Sequence, residues 1–313
     1  MAIGQVMLTL FAIVVVGYIA GELGYMGGTF DKKLSKVVID ITCPALILSS
    51  AMTGELPDRR YILPLLGISV LTYVLLTVVA LLLPRLLTKK KDDEGVIGFA
   101  MMFGNVGFMG YPIVASIFGH EAVFYAAVLN VVNTFTVFTV GTMLIVGKNL
   151  ESTVEEKEMS QKKMLRKVLY STPMLSAYLT MLIVALEIKD IPEFISQPLT
   201  MIGNITVPAA LLIIGSSMSQ LPLRALLGNS TIYTTTLMRL AILPVGIHYL
   251  MTLLGFSSFV VGINTVVIAM PVATYGTILC LRHGKDTTLI TEVTFITTLL
   301  AMISIPLLVT WLL

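Results

Sequence analysis

The feature that most constrains this chain is a series of long stretches without charge. Residues 1–21, 61–84, 95–119, 122–147, 168–186 and 194–223 contain no Asp, Glu, Lys or Arg. Residues 37–54 carry only Asp40, residues 225–281 only Arg239, and residues 287–313 only Glu292. A membrane-spanning helix needs about 20 mostly apolar residues. Residues 225–281 are long enough for two spans, and the Gly-Phe-Ser-Ser sequence at 255–258 divides them. The chain is therefore expected to be an all-α polytopic membrane protein with ten transmembrane helices.

Composition agrees with this reading. The 313 residues are 56% hydrophobic and 12% charged, against about 25% charged in an ordinary soluble domain. This excludes a disordered chain, and two cysteines exclude a disulfide scaffold. The net charge of +2 leaves no electrostatic footprint for nucleic acid. The first apolar stretch lacks a basic leader and a small-residue cleavage site, so it reads as a span rather than a signal peptide.

Lys and Arg in short loops set the orientation. With the N-terminus outside, 16 of the 20 basic residues fall in cytoplasmic loops and three, Arg59, Arg60 and Lys189, fall outside. The expectation is a plasma (inner) membrane protein with both termini outward.

The sequence repeats itself. Residues 40–45 read Asp-Ile-Thr-Cys-Pro-Ala and residues 204–209 read Asn-Ile-Thr-Val-Pro-Ala. Asn105 lies seven residues before Pro112, and Asn264 lies seven before Pro271. Both correspondences are five spans apart, an odd number, so the second half would enter the membrane from the opposite side. Inverted repeats of this kind mark many secondary transporters. The expected organisation is a first five-helix repeat over 1–147, a cytoplasmic linker over 148–167 and a second repeat over 168–313.

Spans 4 and 9 read as broken helices. Residues 104–112 hold three glycines and a proline in nine residues; residues 270–276 read Met-Pro-Val-Ala-Thr-Tyr-Gly. Glycine favours unwound backbone, and proline removes a donor. Unwound backbone survives inside a membrane only against protein or a wet cavity. Half-helices starting near Pro112 and Pro271 would point positive dipole ends at the membrane middle and attract an anion. Candidate substrate-binding residues are therefore Asn105, Gly107, Pro112, Asn264, Pro271, Thr274 and Tyr275. Asn130 and Asn133, on one helical face of span 5, join them; interhelical hydrogen bonding is the competing role for one of the two.

Three charges lie within spans, where each costs at least about 2.5–3.5 kcal/mol at a helix centre. Asp40 and Glu292 are candidates for ion or proton coupling. Arg239 is a candidate to neutralise Glu292 or a substrate carboxylate, and its removal should lower anion transport more than protein level. Snorkelling to the interface is the alternative for these side chains. The threonines at 287, 291, 294 and 298 read as packing, His248 as a partner in an interhelical hydrogen bond, and Cys43 and Cys280 as packing residues. The sequence holds no HExxH, GxSxG or Walker motif, so it gives no support to enzyme function or direct ATP use. No metal site or cofactor is expected, apart from coupling to a proton or sodium.

Three segments carry a resemblance. Leu34-Ser-Lys-Val-Val-Ile-Asp-Ile-Thr-Cys-Pro-Ala-Leu-Ile-Leu-Ser-Ser50 resembles the second helix of the auxin efflux carrier family. Phe103-Gly-Asn-Val-Gly-Phe-Met-Gly-Tyr-Pro-Ile113 resembles its fourth-helix signature, and Val207-Pro-Ala-Ala-Leu-Leu-Ile-Ile-Gly-Ser-Ser-Met218 its seventh. The resemblance runs over essentially the whole chain. It implies two inverted five-helix repeats related to bile acid:sodium symporters, with helices 4 and 9 crossing at Pro112 and Pro271. It also implies a scaffold of helices 1, 2, 6 and 7, a transport domain of helices 3–5 and 8–10 that moves like an elevator, and a homodimer. The implied substrates are small organic anions such as malate, malonate or auxin-like acids. A sodium-coupled symporter, or a channel or sensor on the same fold, are the alternatives. The short linker suits a bacterial-type member. Span 9 lacks the Glu and Gln of sodium-coupled relatives, and Asp40 stands where an amide or apolar residue is more usual.

Overall fold

The computed structural model describes residues 3–52, 56–146, 166, 169–188, 191–220, 230–283 and 285–313. The linker expected at 148–167 lies almost wholly outside them. The described residues are helical, and the one β-type contact among them is an isolated bridge between Gly104 and Val272.

The chain runs as α1 (Ile3–Glu22), α2 (Gly28–Val37), α3 (Cys43–Ser49), α4 (Ile62–Leu82), α5 (Lys91–Met102), α6 (Tyr111–Phe118), α7 (Ala122–Thr136) and α8 (Thr142–Val146). The second half holds α9 (Thr172–Ala185), α10 (Glu193–Asn204), α11 (Thr206–Ser219), α12 (Ser230–Leu237), α13 (Leu243–Leu253), α14 (Ser258–Ile268), α15 (Tyr275–Arg282) and α16 (Thr288–Leu312). Among the described residues, five continuous helical stretches have membrane length, with mean hydropathy from 1.4 to 2.5: Arg59–Leu87, Ala122–Val146, Glu193–Ser219, Ser230–Leu253 and Thr288–Leu312. Leu8–Glu22, Val106–Phe118, Thr172–Ala185 and Ser258–Ile268 are shorter apolar helices. The sequence predicts ten spans. Two of the shorter helices, Val106–Phe118 and Ser258–Ile268, belong to apolar stretches that are interrupted in their middles.

Proline shapes several of these helices. Three π turns, at Val38–Thr42, Val106–Gly110 and Met238–Ile242, each end two residues before a proline: Pro44, Pro112 and Pro244. The proline ring crowds the carbonyl four residues back and offers it no N–H. In each case that carbonyl lies inside the wide turn, which gives it room. A fourth π turn, at Val137–Gly141, has no proline behind it.

Two sets of helices pack through small residues. In the first, a Cβ on Gly17 would overlap the Leu212 backbone, and one on Gly215 would overlap Val14 O. So α1 and α11 lie backbone to backbone, which only small residues allow. Gly203 of α10 meets the Leu46 backbone of α3, and Thr180 Oγ1 of α9 donates to Ile47 O at 3.3 Å. Asp31 is buried and ties α2 to the end of α11. Its carboxylate accepts from Gly27 N at 2.9 Å, Ser216 Oγ at 2.7 Å and Gln220 Nε2 at 3.4 Å.

In the second set, Gly98 of α5 sits against Ala80 O of α4, and Ser69 Oγ of α4 donates to Leu129 O of α7 at 3.1 Å. His248 Nδ1 lies 3.0 Å from Thr265 Oγ1 between α13 and α14, the interhelical hydrogen bond expected for it. Large apolar side chains such as Leu63, Leu86, Leu253 and Trp311 are exposed on the outer surface. An apolar exterior of this kind is what a lipid solvent requires.

Candidate functional site

The two interrupted helices meet at their interruptions. α5 ends at Met102, and a π turn starts at Val106 and leads into α6. α14 ends at Ile268 and α15 starts at Tyr275. Asn105 N donates to Pro271 O at 2.8 Å, and Ala273 N donates to Phe103 O at 3.0 Å. Gly104 and Val272 form the bridge between these bonds. The unwound strands thus satisfy part of each other's backbone, as a break in an apolar environment requires.

Arg239 satisfies the carbonyl ends. It lies in the π turn between α12 and α13 and is only 1% exposed. Its Nε donates to Met270 O at 2.9 Å, and its Nη1 donates to Met101 O at 3.1 Å and Met102 O at 3.3 Å. One cation therefore meets the carbonyl-terminal, negative ends of both broken helices. The planar fork of Arg suits several acceptors at once. Gly104 makes this approach possible, because a Cβ there would overlap Arg239 Nη2.

This corrects the expectation for Arg239. It is held by protein carbonyls and shut away from solvent, so it is a positioning residue. Among the described residues no ion pair joins it to Glu292 or Asp40. Glu292 is half-buried on α16. Asp40 is exposed in the first π turn and lies within electrostatic reach of Tyr275.

The amide ends of the break differ. Asn105 caps the second half of the first broken helix, its Oδ1 accepting from Phe108 N at 3.3 Å. Among the described residues, no acceptor takes the N–H of Gly107, Thr274 or Tyr275. A Cβ on Gly107 would meet nothing within 4 Å. Thr274 and Tyr275 are exposed, and the Tyr275 ring meets Phe138 edge-on at 5.5 Å. Cys43 Sγ of α3 lies 3.9 Å from Gly107 O. No acidic residue stands in the first turn of either second half. The first of these N-termini runs from the π turn at Val106 into α6 at Tyr111, and the second begins at Tyr275, four residues past Pro271. Pro112 stands in the first turn of α6, and Pro271 lies in the break, where its carbonyl serves Asn105.

Asn264 is also corrected. It is 2% exposed inside α14, and its Nδ2 donates to Thr72 Oγ1 of α4 at 3.2 Å. Where the breaks meet, Gly104 faces Val272. Asn264 sits about one turn before α14 ends and joins α14 to α4.

Asn130 and Asn133 belong to a chain of hydrogen bonds. Tyr73 Oη donates to Asn133 Oδ1 at 2.6 Å, Asn133 Nδ2 to Asn130 Oδ1 at 2.8 Å, and Asn130 Nδ2 to Tyr111 Oη at 2.8 Å. Sequence reasoning missed two further residues. Tyr111 ends that chain beside Pro112. Thr297 of α16 accepts from Val272 N at 3.1 Å and so supports the second break. It lies one residue off the threonine stripe, and nothing in the sequence separates it from its neighbours. Within the stripe, Thr298 Oγ1 donates to Thr294 O at 2.7 Å, a packing role.

Long apolar helices around two mutually bonded helix breaks define a multi-pass membrane protein organised about an unwound centre. The membrane transport protein family matches residues 2–309, and the chain belongs to it; this is the auxin efflux carrier family that its helix signatures resemble. It is a family of transporters, not of enzymes. The chain is 26% identical over 314 residues to an uncharacterized transporter of Methanothermobacter thermautotrophicus, covering 97% of this chain and 96% of that one. It is 25% identical over 311 residues to an uncharacterized transporter of Methanocaldococcus jannaschii, covering 97% and 96%.

Proposed function

We propose that this protein is a secondary transporter of small organic anions, carboxylates such as malate, malonate or auxin-like acids, across the plasma membrane. The observation that carries this reading is the asymmetry of the break. Arg239 takes up the carbonyl ends of both broken helices, while the N–H ends are left without an acid. A helix N-terminus favours an anion by about 0.3–1 kcal/mol, and by up to about 2 when partly buried. Asn105, Gly107, Thr274 and Tyr275 surround this end and form the binding site. Pro271 holds its shape through Asn105.

The transport cycle is elevator-type alternating access in a ten-helix fold of two inverted repeats. The division of close packing supports it: α1–α3 and α9–α11 form the scaffold, and the helices that carry the breaks form the moving part. Asp40, exposed in the first π turn near Tyr275, is assigned to ion or proton coupling. Glu292, half-buried on α16, is the second candidate for that coupling.

The test is thermal stabilisation of the purified protein by malonate, malate and indole-3-acetate, with neutral amides as controls, with and without sodium and at two pH values. A ligand that binds only the folded state raises the melting temperature with occupancy. Stabilisation by a carboxylate that strengthens at lower pH without sodium is expected. Sodium dependence would replace proton coupling with sodium coupling. Equal response to acids and amides would overturn the anion reading.

A further inference from the structure

The chain Tyr73–Asn133–Asn130–Tyr111 has a direction, and the direction has a cause. Each amide both accepts and donates: Asn133 accepts from Tyr73 and donates to Asn130, which donates to Tyr111. Flipping both amides would reverse every bond. Tyr73 lies within electrostatic reach of Arg239, and its ring stacks near Phe103 with centroids 6.2 Å apart. A cation attracts the lone pairs of a hydroxyl and turns its proton away. Tyr73 therefore donates away from Arg239, to Asn133, and the two amides follow in series.

The far end of the chain follows from this order. Tyr111 Oη is used as an acceptor, so its proton is left over. Among the described residues no acceptor takes that proton. Tyr111 is 1% exposed, so bulk water does not take it either. An unused donor in a dry place is costly, and an incoming acceptor relieves the cost. The phenol is the first residue of α6 and lies within electrostatic reach of Cys43 and Tyr275. Cys43 touches Gly107, and Tyr275 opens α15. These are the residues of the open, N–H end of the break.

We infer that Tyr111 is a ligand-contacting hydrogen-bond donor at this end, its hydroxyl proton held free for a carboxylate oxygen by two asparagines that act as positioning residues. This rests on the anion-transport reading and adds a residue to its site. It also changes the role of Asn130 and Asn133, whose amides are spent on each other and on the two tyrosines. Arg239 acts at the same site twice, by fixing the carbonyl ends and by setting the direction of the chain.

The experiment compares the full-length purified protein with Tyr111→Phe, which removes only the hydroxyl. Binding of malonate, malate and indole-3-acetate is measured by calorimetry beside the corresponding neutral amides. A hydrogen bond to a charged group sets the scale of loss at roughly 10- to 100-fold in Kd. The expected result is that loss for the carboxylate that binds wild type, a much smaller change for its amide, and only a modest fall in melting temperature without ligand, from the loss of the Asn130 hydrogen bond. Tyr73→Phe, at the far end, should weaken the carboxylate in the same direction by a smaller factor, and it carries the test if Tyr111→Phe does not fold. Carboxylate affinity equal to wild type in these variants overturns the inference alone. Equal losses for acid and amide also overturn it, because they mark a packing role. If wild type binds none of the carboxylates, the anion-transport reading falls and this inference falls with it.

Discussion

The two ends of the helix break are built from the same elements and differ in almost every physical respect. At the carbonyl end, Met101, Met102 and Met270 aim three oxygens at one guanidinium, and Gly104 is bare so that the guanidinium fits. At the N–H end, Gly107 is bare and has open space beside it, and Thr274 and Tyr275 are exposed. One end is dry and saturated with bonds; the other has donors to spare. A glycine three residues from another can therefore serve the opposite purpose. The carbonyl end holds the architecture, and the N–H end is free to recognise something.

Substitutions can break that contrast or sharpen it. Arg239→Ala should have the largest effect, since it leaves three buried carbonyls without a donor. The expected loss is roughly 3 kcal/mol or more, at about 1–3 kcal/mol for each buried carbonyl left without a donor. It would be read as a collapse of the monodisperse peak in detergent. Arg239→Ala at normal level with full transport would show that the carbonyl end is not structural. Gly104→Ala should come next, with a loss of up to about 3 kcal/mol as the methyl group displaces the guanidinium; thermal melting checks it. Thr297→Val removes the acceptor for Val272 N and should cost about 1–2 kcal/mol, with a lower melting temperature and transport reduced in proportion to folded protein. Gly107→Ala should change stability by less than about 0.5 kcal/mol, as at an unconstrained surface position, yet weaken anion binding several-fold. A large fall in its melting temperature would mean that the two glycines do the same work.

Much of this arrangement can be read from residue types. Glycine and proline at 104–112 and the proline at 271 announce the breaks. Charge-free stretches announce the apolar helices. The register of the two breaks is a different matter. Gly104 meets Val272 because the strands pair through backbone groups that every residue possesses. For the same reason Arg239 invites a search for an acid, while its partners are carbonyls that carry no mark in the sequence. Thr297 and Tyr111 were hidden among similar residues, and only the position of a neighbouring helix selects them. Asp31, beside Lys32 and Lys33, looks like part of a solvated turn, yet it is buried against Ser216, 185 residues away.

The proline-linked π turns carry one more consequence. A π turn adds a residue to a helical turn, and one residue corresponds to roughly 100° about the helix axis. Such a turn sets the angular phase between the two halves of a helix, and the proline two residues beyond it stops the bulge from wandering. Asp40 and Arg239 both sit inside turns of this kind. Their bearings are thus set by Pro44 and Pro244, residues outside the break itself. Pro44 and Pro244 act as the index marks of a dial, and a helix relaxed to regular pitch at Pro244 would swing the guanidinium off its three carbonyls.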